Sequence, residues 1–245
     1  MWIIYPIIFI AGFVDAIAGG GGLISLSGYY AIGLPPHIAL ATNKFSSTAG
    51  TVVSAGRYIS SGHIKWKSAA VAAIGAIIGS ALGARLALML DERYLKGLMI
   101  ILVPLVALFV LFKKDFGITT KKLSSKKVIA YSILTGLALG AYDGFFGPGT
   151  GTFLTIIFTA VIGFDVVTAC GNTKVVNLAS NLAAVITFMI YGDINYKIGI
   201  PAAICGILGN YLGAGIAIKK GVKIVRPMML IVVALLLIKV GSSLV

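Results

Sequence analysis

The chain has 245 residues, of which 59% are hydrophobic and only 11% charged, with a mean hydropathy of +1.04. A soluble domain carries about a quarter charged residues, so this composition excludes an ordinary globular enzyme and calls for a lipid environment. The net charge of +13 does not argue for nucleic acid, because the Lys and Arg residues sit mainly in short connectors between apolar runs, where they set membrane orientation.

In chain order, five apolar segments are expected in the first half, at about 2–18, 23–33, 37–60, 67–90 and 95–112, and five in the second, at about 128–146, 152–162, 165–190, 196–218 and 223–241. The stretch Met1–Ile10 lacks a basic flank and a small-residue cleavage site, and is expected to be mature sequence. Cys170 and Cys205 both fall inside apolar stretches, which does not suggest a disulfide framework. The second segment of each half has about 11 residues, or about 16 Å of helix at 1.5 Å per residue. It cannot cross a hydrocarbon core about 30 Å thick. The first two segments of each half, interrupted by glycine, are therefore expected to form a re-entrant hairpin, followed by three transmembrane helices.

The halves resemble each other. A shift of 130 places Lys44 on Lys174, Trp66 on Tyr196, Gly79 on Gly209 and Gly83 on Gly213. Near the start of each half the shift is 128 and pairs Asp15 with Asp143 and Gly19 with Gly147. The two-residue slip falls within the glycine tracts, Gly19-Gly20-Gly21-Gly22 against Gly147-Pro148-Gly149-Thr150-Gly151. The expected organisation is an all-α integral membrane protein of two repeats, 1–112 and 128–245, joined by a basic linker, 113–127. Placing the lysines of that linker in the cytoplasm also puts Lys65, Lys67 and the cluster Lys219–Arg226 inside if each hairpin enters and leaves on one side. The repeats are then inverted, with both termini and the loops at Asp91 and Asp193 outside.

Charge inside apolar segments locates the candidate site. Lys44 and Lys174 each lie about two turns into a long segment, where a central charge costs about 2.5–3.5 kcal/mol on insertion scales. Lys44, Ser47 and Thr51 share one helix face, and Lys174, Asn177 and Asn181 share the matching one. Thr42-Asn43 and Asn172-Thr173 precede the two lysines. Half-helices beginning after Gly20-Gly21-Gly22 and Gly149-Thr150-Gly151 would aim free N–H groups at the hairpin tips, a setting suited to an anion. Two blander readings stand beside these: the glycines serve close packing, and each lysine pairs with a carboxylate to hold helices together. Asp15 and Asp143, one turn before the tracts, would accept hydrogen bonds from tract N–H groups, neutralise the lysines, or titrate with transport. Capping of the tracts is the preferred reading. Arg57, Arg85 and Lys239 near segment ends are expected to snorkel. Gly75-Gly79-Gly83 and Gly209-Gly213 are expected to be helix contacts. No nucleophile–base pair, nucleotide loop or metal-ligand spacing involving His37 or His63 occurs, so neither an enzyme, a cofactor nor a metal is expected.

The run Asp15-Ala16-Ile17-Ala18-Gly19-Gly20-Gly21-Gly22-Leu23, then Ala41-Thr42-Asn43-Lys44, then Tyr142-Asp143-Gly144-Phe145-Phe146-Gly147-Pro148-Gly149-Thr150-Gly151 resembles the TauE/SafE sulfite-exporter family along nearly the whole chain. The resemblance implies a bacterial or archaeal inner-membrane carrier of sulfite or organosulfonate anions. Family members often have Pro where this chain has Ser27. The competing readings are an anion channel and a cation carrier that uses Asp15 and Asp143. The oligomeric state and the coupling ion are not legible.

Overall fold

The computed structural model describes residues 2–90, 123–192 and 194–241, and among these every regular element is helical. The first half gives α1 (Ile4–Ala18), α2 (Gly21–Ala31), α3 (Pro36–Ser60) and α4 (Trp66–Met89). The second gives α5 (Ser125–Phe145), α6 (Thr150–Ile156) running into a π-helical turn (Ile157–Val161), α7 (Val166–Tyr191), α8 (Tyr196–Lys220) and α9 (Val222–Gly241). The segment expected at 95–112 and most of the basic linker lie outside the described residues; the last linker residues, Ser125–Lys127, already belong to α5.

Local signals explain the boundaries. α1 stops because Gly19 adopts φ 75°, a left-handed conformation open to glycine, and returns its N–H to Asp15 O at 2.8 Å. Pro36 opens α3 at a position where a missing N–H costs nothing. Asp165 caps α7 by accepting from Thr168 N at 3.0 Å, and Asn195 caps α8 by accepting from Ile198 N at 3.2 Å. α2 runs unbroken through Ser27, whose hydroxyl donates to Leu23 O at 2.7 Å, so the serine needs no bend there.

The distribution of side chains is inverted relative to a soluble protein. Large apolar residues such as Ile77, Leu82, Leu86, Leu134, Ile186 and Leu208 are exposed, whereas Thr42, Asn43, Lys44, Ser54, Thr155, Asn172 and Lys174 are buried. Lipid is the solvent that makes this arrangement stable. α4, α5, α7 and α8 are long and apolar enough to cross a bilayer. α3 is as long, with 25 residues, but spends much of its circumference on the polar interior.

The halves interlock. α4 packs along α5 and α7, while α8 packs along α1 and α3; exchanging the halves converts one set of contacts into the other. α3 and α7 cross at the centre. The α4–α5 seam is a glycine zipper: a Cβ on Gly79 or Gly83 would strike the carbonyls of Leu137 or Ala141, and one on Gly136 or Gly144 those of Ala72 or Ser80. Gly209 and Gly213 meet Phe9 and Phe13 of α1 in the same way. These stripes are helix contacts, as the sequence suggests.

Candidate functional site

The two glycine tracts meet. Gly19 abuts Gly151 so closely that a Cβ on Gly19 would run into the Gly151 backbone, and Thr152 Oγ1 ties the tips by donating to Ala18 O at 2.8 Å. The second tip is braced from within: Tyr142 OH donates to Pro148 O and Thr150 Oγ1 to Gly147 O, each at 2.7 Å. Here α6 is α-helical for only seven residues. The wider π turn that follows allows Phe158 to stack on Phe164 with centroids 6.0 Å apart. The expected uniform half-helix over 152–162 is thus interrupted, and so short an α6 contributes little dipole to the site.

Each intramembrane lysine pairs with the aspartate of the other half. Lys44 Nζ lies 2.8 Å from Asp143 Oδ2 and donates to Asn181 Oδ1 at 2.9 Å. Lys174 Nζ lies 2.6 Å from Asp15 Oδ2. Ser180 Oγ donates to Asp143 Oδ2 at 2.6 Å. This differs from the expectation that the aspartates cap the glycine tracts: their side-chain bonds go to the lysine ammonium groups and the Ser180 hydroxyl. The physical reason is the ammonium groups, whose attraction inside a low-dielectric core outweighs that of backbone N–H dipoles.

The pairs differ in shielding. The Lys44–Asp143 side chains are 4% and 7% exposed, whereas Asp15 is 21% exposed beside a Lys174 that is 1% exposed. Both pairs border or flank a polar cavity of about 30 Å³, measured as room for the centre of a water molecule. Its charged lining is Asp15, Lys44 and Asp143; its polar lining is Asn43, Ser47, Thr150, Asn177 and Asn181; backbone at Gly19, Gly22, Gly147 and Gly151 completes it. Asn177 is buried there with Oδ1 unpartnered. A Cβ placed on Gly147 would stand 3.1 Å from Lys44 Nζ, so glycine gives the ammonium its room.

Other expected site residues lie elsewhere. Lys174 stands behind Asp15. Thr42 Oγ1 accepts from Asn195 N at 3.0 Å, and Asn172 Oδ1 from Lys65 N at 2.8 Å, so each fastens the connector ahead of the other half's fourth helix. Thr173 Oγ1 pairs with Thr155 Oγ1 at 3.1 Å. Gly20 faces Val232 of α9, Gly21 packs on Ala11 O of α1, and Gly149 supplies a turn at φ 85°. Ser180, a ligand of Asp143, was not singled out by sequence; its place one turn from Asn177 was the available signal. Arg57 does more than snorkel: its guanidinium donates to Tyr211 O at 2.8 Å and covers the Tyr211 ring at 4.1 Å. Arg85 lies over Tyr191 at 5.5 Å, while the Lys239 side chain lies outside the described residues. Both cysteines are free.

Several lipid-facing helices around a buried, charge-paired polar centre, with helices broken where the charges meet, fit a membrane transporter. The chain belongs to the TauE/SafE family: residues 4–240 match the family model described as "Sulfite exporter TauE/SafE". It is 34% identical over 229 residues to a "Probable membrane transporter protein" of Haemophilus influenzae, covering 94% of this chain and 89% of that one. It is likewise 34% identical to a "Probable membrane transporter protein ORF9" of Sinorhizobium sp (91% and 85% covered), and 29% identical to a "Probable membrane transporter protein YfcA" of Escherichia coli (96% and 87%). No solved structure matches it. The protein is therefore a multi-pass anion transporter of the TauE/SafE type in the (inner) membrane, and not an enzyme.

Proposed function

We propose that the protein is a secondary carrier of sulfite or organosulfonate anions, bound between the glycine tips by the Lys44 ammonium and, after rearrangement, by Lys174. The observation that carries this reading is the cavity at the tips, where the Lys44 ammonium and several amide and hydroxyl groups converge beside the Asp15 and Asp143 carboxylates. An oxyanion with three or more acceptor oxygens matches that donor set. At about 30 Å³ the cavity holds one or two waters. A sulfonate therefore has to displace Asp143 from Lys44 and part the tips. Partner exchange of this kind makes binding and conformational change one event, which favours a carrier over a channel. A cation carrier working through both aspartates is disfavoured because Asp143 is buried and its Oδ2 is held by both Lys44 and Ser180.

The reciprocal packing of the two halves and the lysine-rich connectors support two inverted repeats, each a re-entrant hairpin followed by three spanning helices. Alternating access then arises when one set of cross-half contacts loosens while its mate tightens. A thermal-shift screen of the purified protein against sulfite, sulfate, thiosulfate, sulfoacetate and aromatic sulfonates tests the substrate. A ligand at a hundred times its Kd stabilises by about 2.7 kcal/mol. A shift with sulfite or a sulfonate is expected; stabilisation by none of the sulfur oxyanions would reject the assignment.

A further inference from the structure

A second cavity, of about 20 Å³, adjoins the first and shares Asp15, Gly22 and Ser47 with it. Its other polar neighbours are Ser25 of α2, Ser46 of α3 and Asn210 of α8. The hydrogen-bond directions set it apart. Ser25 Oγ donates to Gly21 O at 3.2 Å, Ser46 Oγ to Asn43 O at 3.1 Å and Ser47 Oγ to Asn43 Oδ1 at 3.4 Å. Asn210 Nδ2 donates to Gly206 O at 3.0 Å and is wedged against Gly12 and Gly50, where a Cβ on either would collide with it. That leaves Asn210 Oδ1, on a residue only 3% exposed, without a partner. Ser25 and Ser47 thus spend their hydroxyl protons on other acceptors and turn lone pairs to the cavity, while Ser46 Oγ is also engaged by Tyr29 OH at 2.8 Å. Asp15 adds a carboxylate whose Oδ2 alone is engaged, by Lys174.

A pocket whose side-chain lining offers mainly oxygen acceptors, wide enough for one water-sized occupant, suits a hard monovalent cation of small radius. We propose that this cavity binds sodium, with Asn210 Oδ1, Asp15 and the Ser25 and Ser47 hydroxyls as the oxygens that hold it. Asymmetry between the halves supports a dedicated site. The repeat shift of 130 puts Asn210 on Ser80, which donates to Ser180 O at 2.6 Å, and Gly50 on Ser180, which shields Asp143. The second half is sealed where the first leaves Asp15 open to an ion. The four charges Asp15, Asp143, Lys44 and Lys174 cancel, so an entering dianion brings uncompensated charge, and a sodium ion sharing Asp15 offsets part of it. This coupling rests on the anion reading above; the sodium site itself does not.

The test uses the full-length protein in lipid nanodiscs without any sulfur anion, with sodium chloride titrated against choline and potassium chloride at constant ionic strength. Binding of radioactive sodium and thermal stability are read together. Saturable sodium binding is expected, with choline and potassium inert, and Asn210→Ser and Ser25→Ala should each raise the half-saturating concentration at least tenfold. No saturable sodium binding by the wild-type protein would overturn the site, as would binding undiminished in whichever of the two variants folds. Sulfite affinity measured with and without sodium separates the two readings. Sodium binding without sulfite binding removes only the anion reading. Sulfite binding indifferent to sodium removes the coupling.

Discussion

Lys44 was conspicuous in the sequence because a cation two turns inside an apolar segment needs a reason to stay. Its partner was not legible: Asp143 is 99 positions away in the chain, and only the crossing of the halves brings them together. Removing one member of a buried pair costs about 3–5 kcal/mol, so Lys44→Ala is expected to lower thermal stability as well as binding, whereas Lys44→Gln combined with Asp143→Asn should recover stability. Lys44→Arg should still impair binding, since a planar fork does not reproduce a compact ammonium in the room left by Gly147. The glycines divide in the same way. Gly22 can accept a Cβ, which would make ordinary van der Waals contact with Pro148 Cα at 3.5 Å, and it lines both cavities. Gly22→Ala should therefore accumulate as folded protein with ligand-induced thermal shifts reduced, while Gly19→Ala, meeting the Gly151 backbone at positive φ, should fail to accumulate. Equal folded yields for the two variants would contradict this account of the tips.

Nearly every described helix was foreseen to within a few residues, because glycine, proline and capping residues end apolar runs abruptly. α1, for example, was expected at 2–18 and runs Ile4–Ala18. The π turn after Ile156 was not foreseen, since no local residue marks a change from i−4 to i−5 bonding; it depends on the Phe158–Phe164 stack. Thr42 and Asn172 were assigned to the site by adjacency to the lysines, yet a helix turns about 100° per residue and points them at connectors instead. The glycine seam between α4 and α5 predicts a graded response. Gly79→Ala should cost about 1–3 kcal/mol through overpacking, and Gly79→Leu should abolish assembly, as measured by monodisperse yield in detergent. A Gly79→Leu variant as stable as wild type would mean that the seam is not a close contact.

Across the whole molecule, the proposed orientation rests on lysine placement and on the reciprocal contacts of the halves. Cysteines introduced at Ser125 and Lys220, both exposed at helix ends, should react with an impermeant reagent only from the cytoplasmic side, and one at the exposed Tyr191 only from outside. Labelling of the Lys220 and Tyr191 positions from the same face would sink the inverted arrangement. Counterflow of labelled sulfite in proteoliposomes, without ohmic conductance, is expected of a carrier that must exchange Asp143 for its substrate. The claim on which the rest depends is that an ammonium at the glycine tips holds the anion. Isothermal titration of sulfite into the wild-type protein and into the stability-matched Lys44→Gln/Asp143→Asn variant tests it most directly. At least a tenfold loss of affinity in the variant, about 1.4 kcal/mol, is the predicted result; a variant that binds sulfite as tightly as wild type would contradict it.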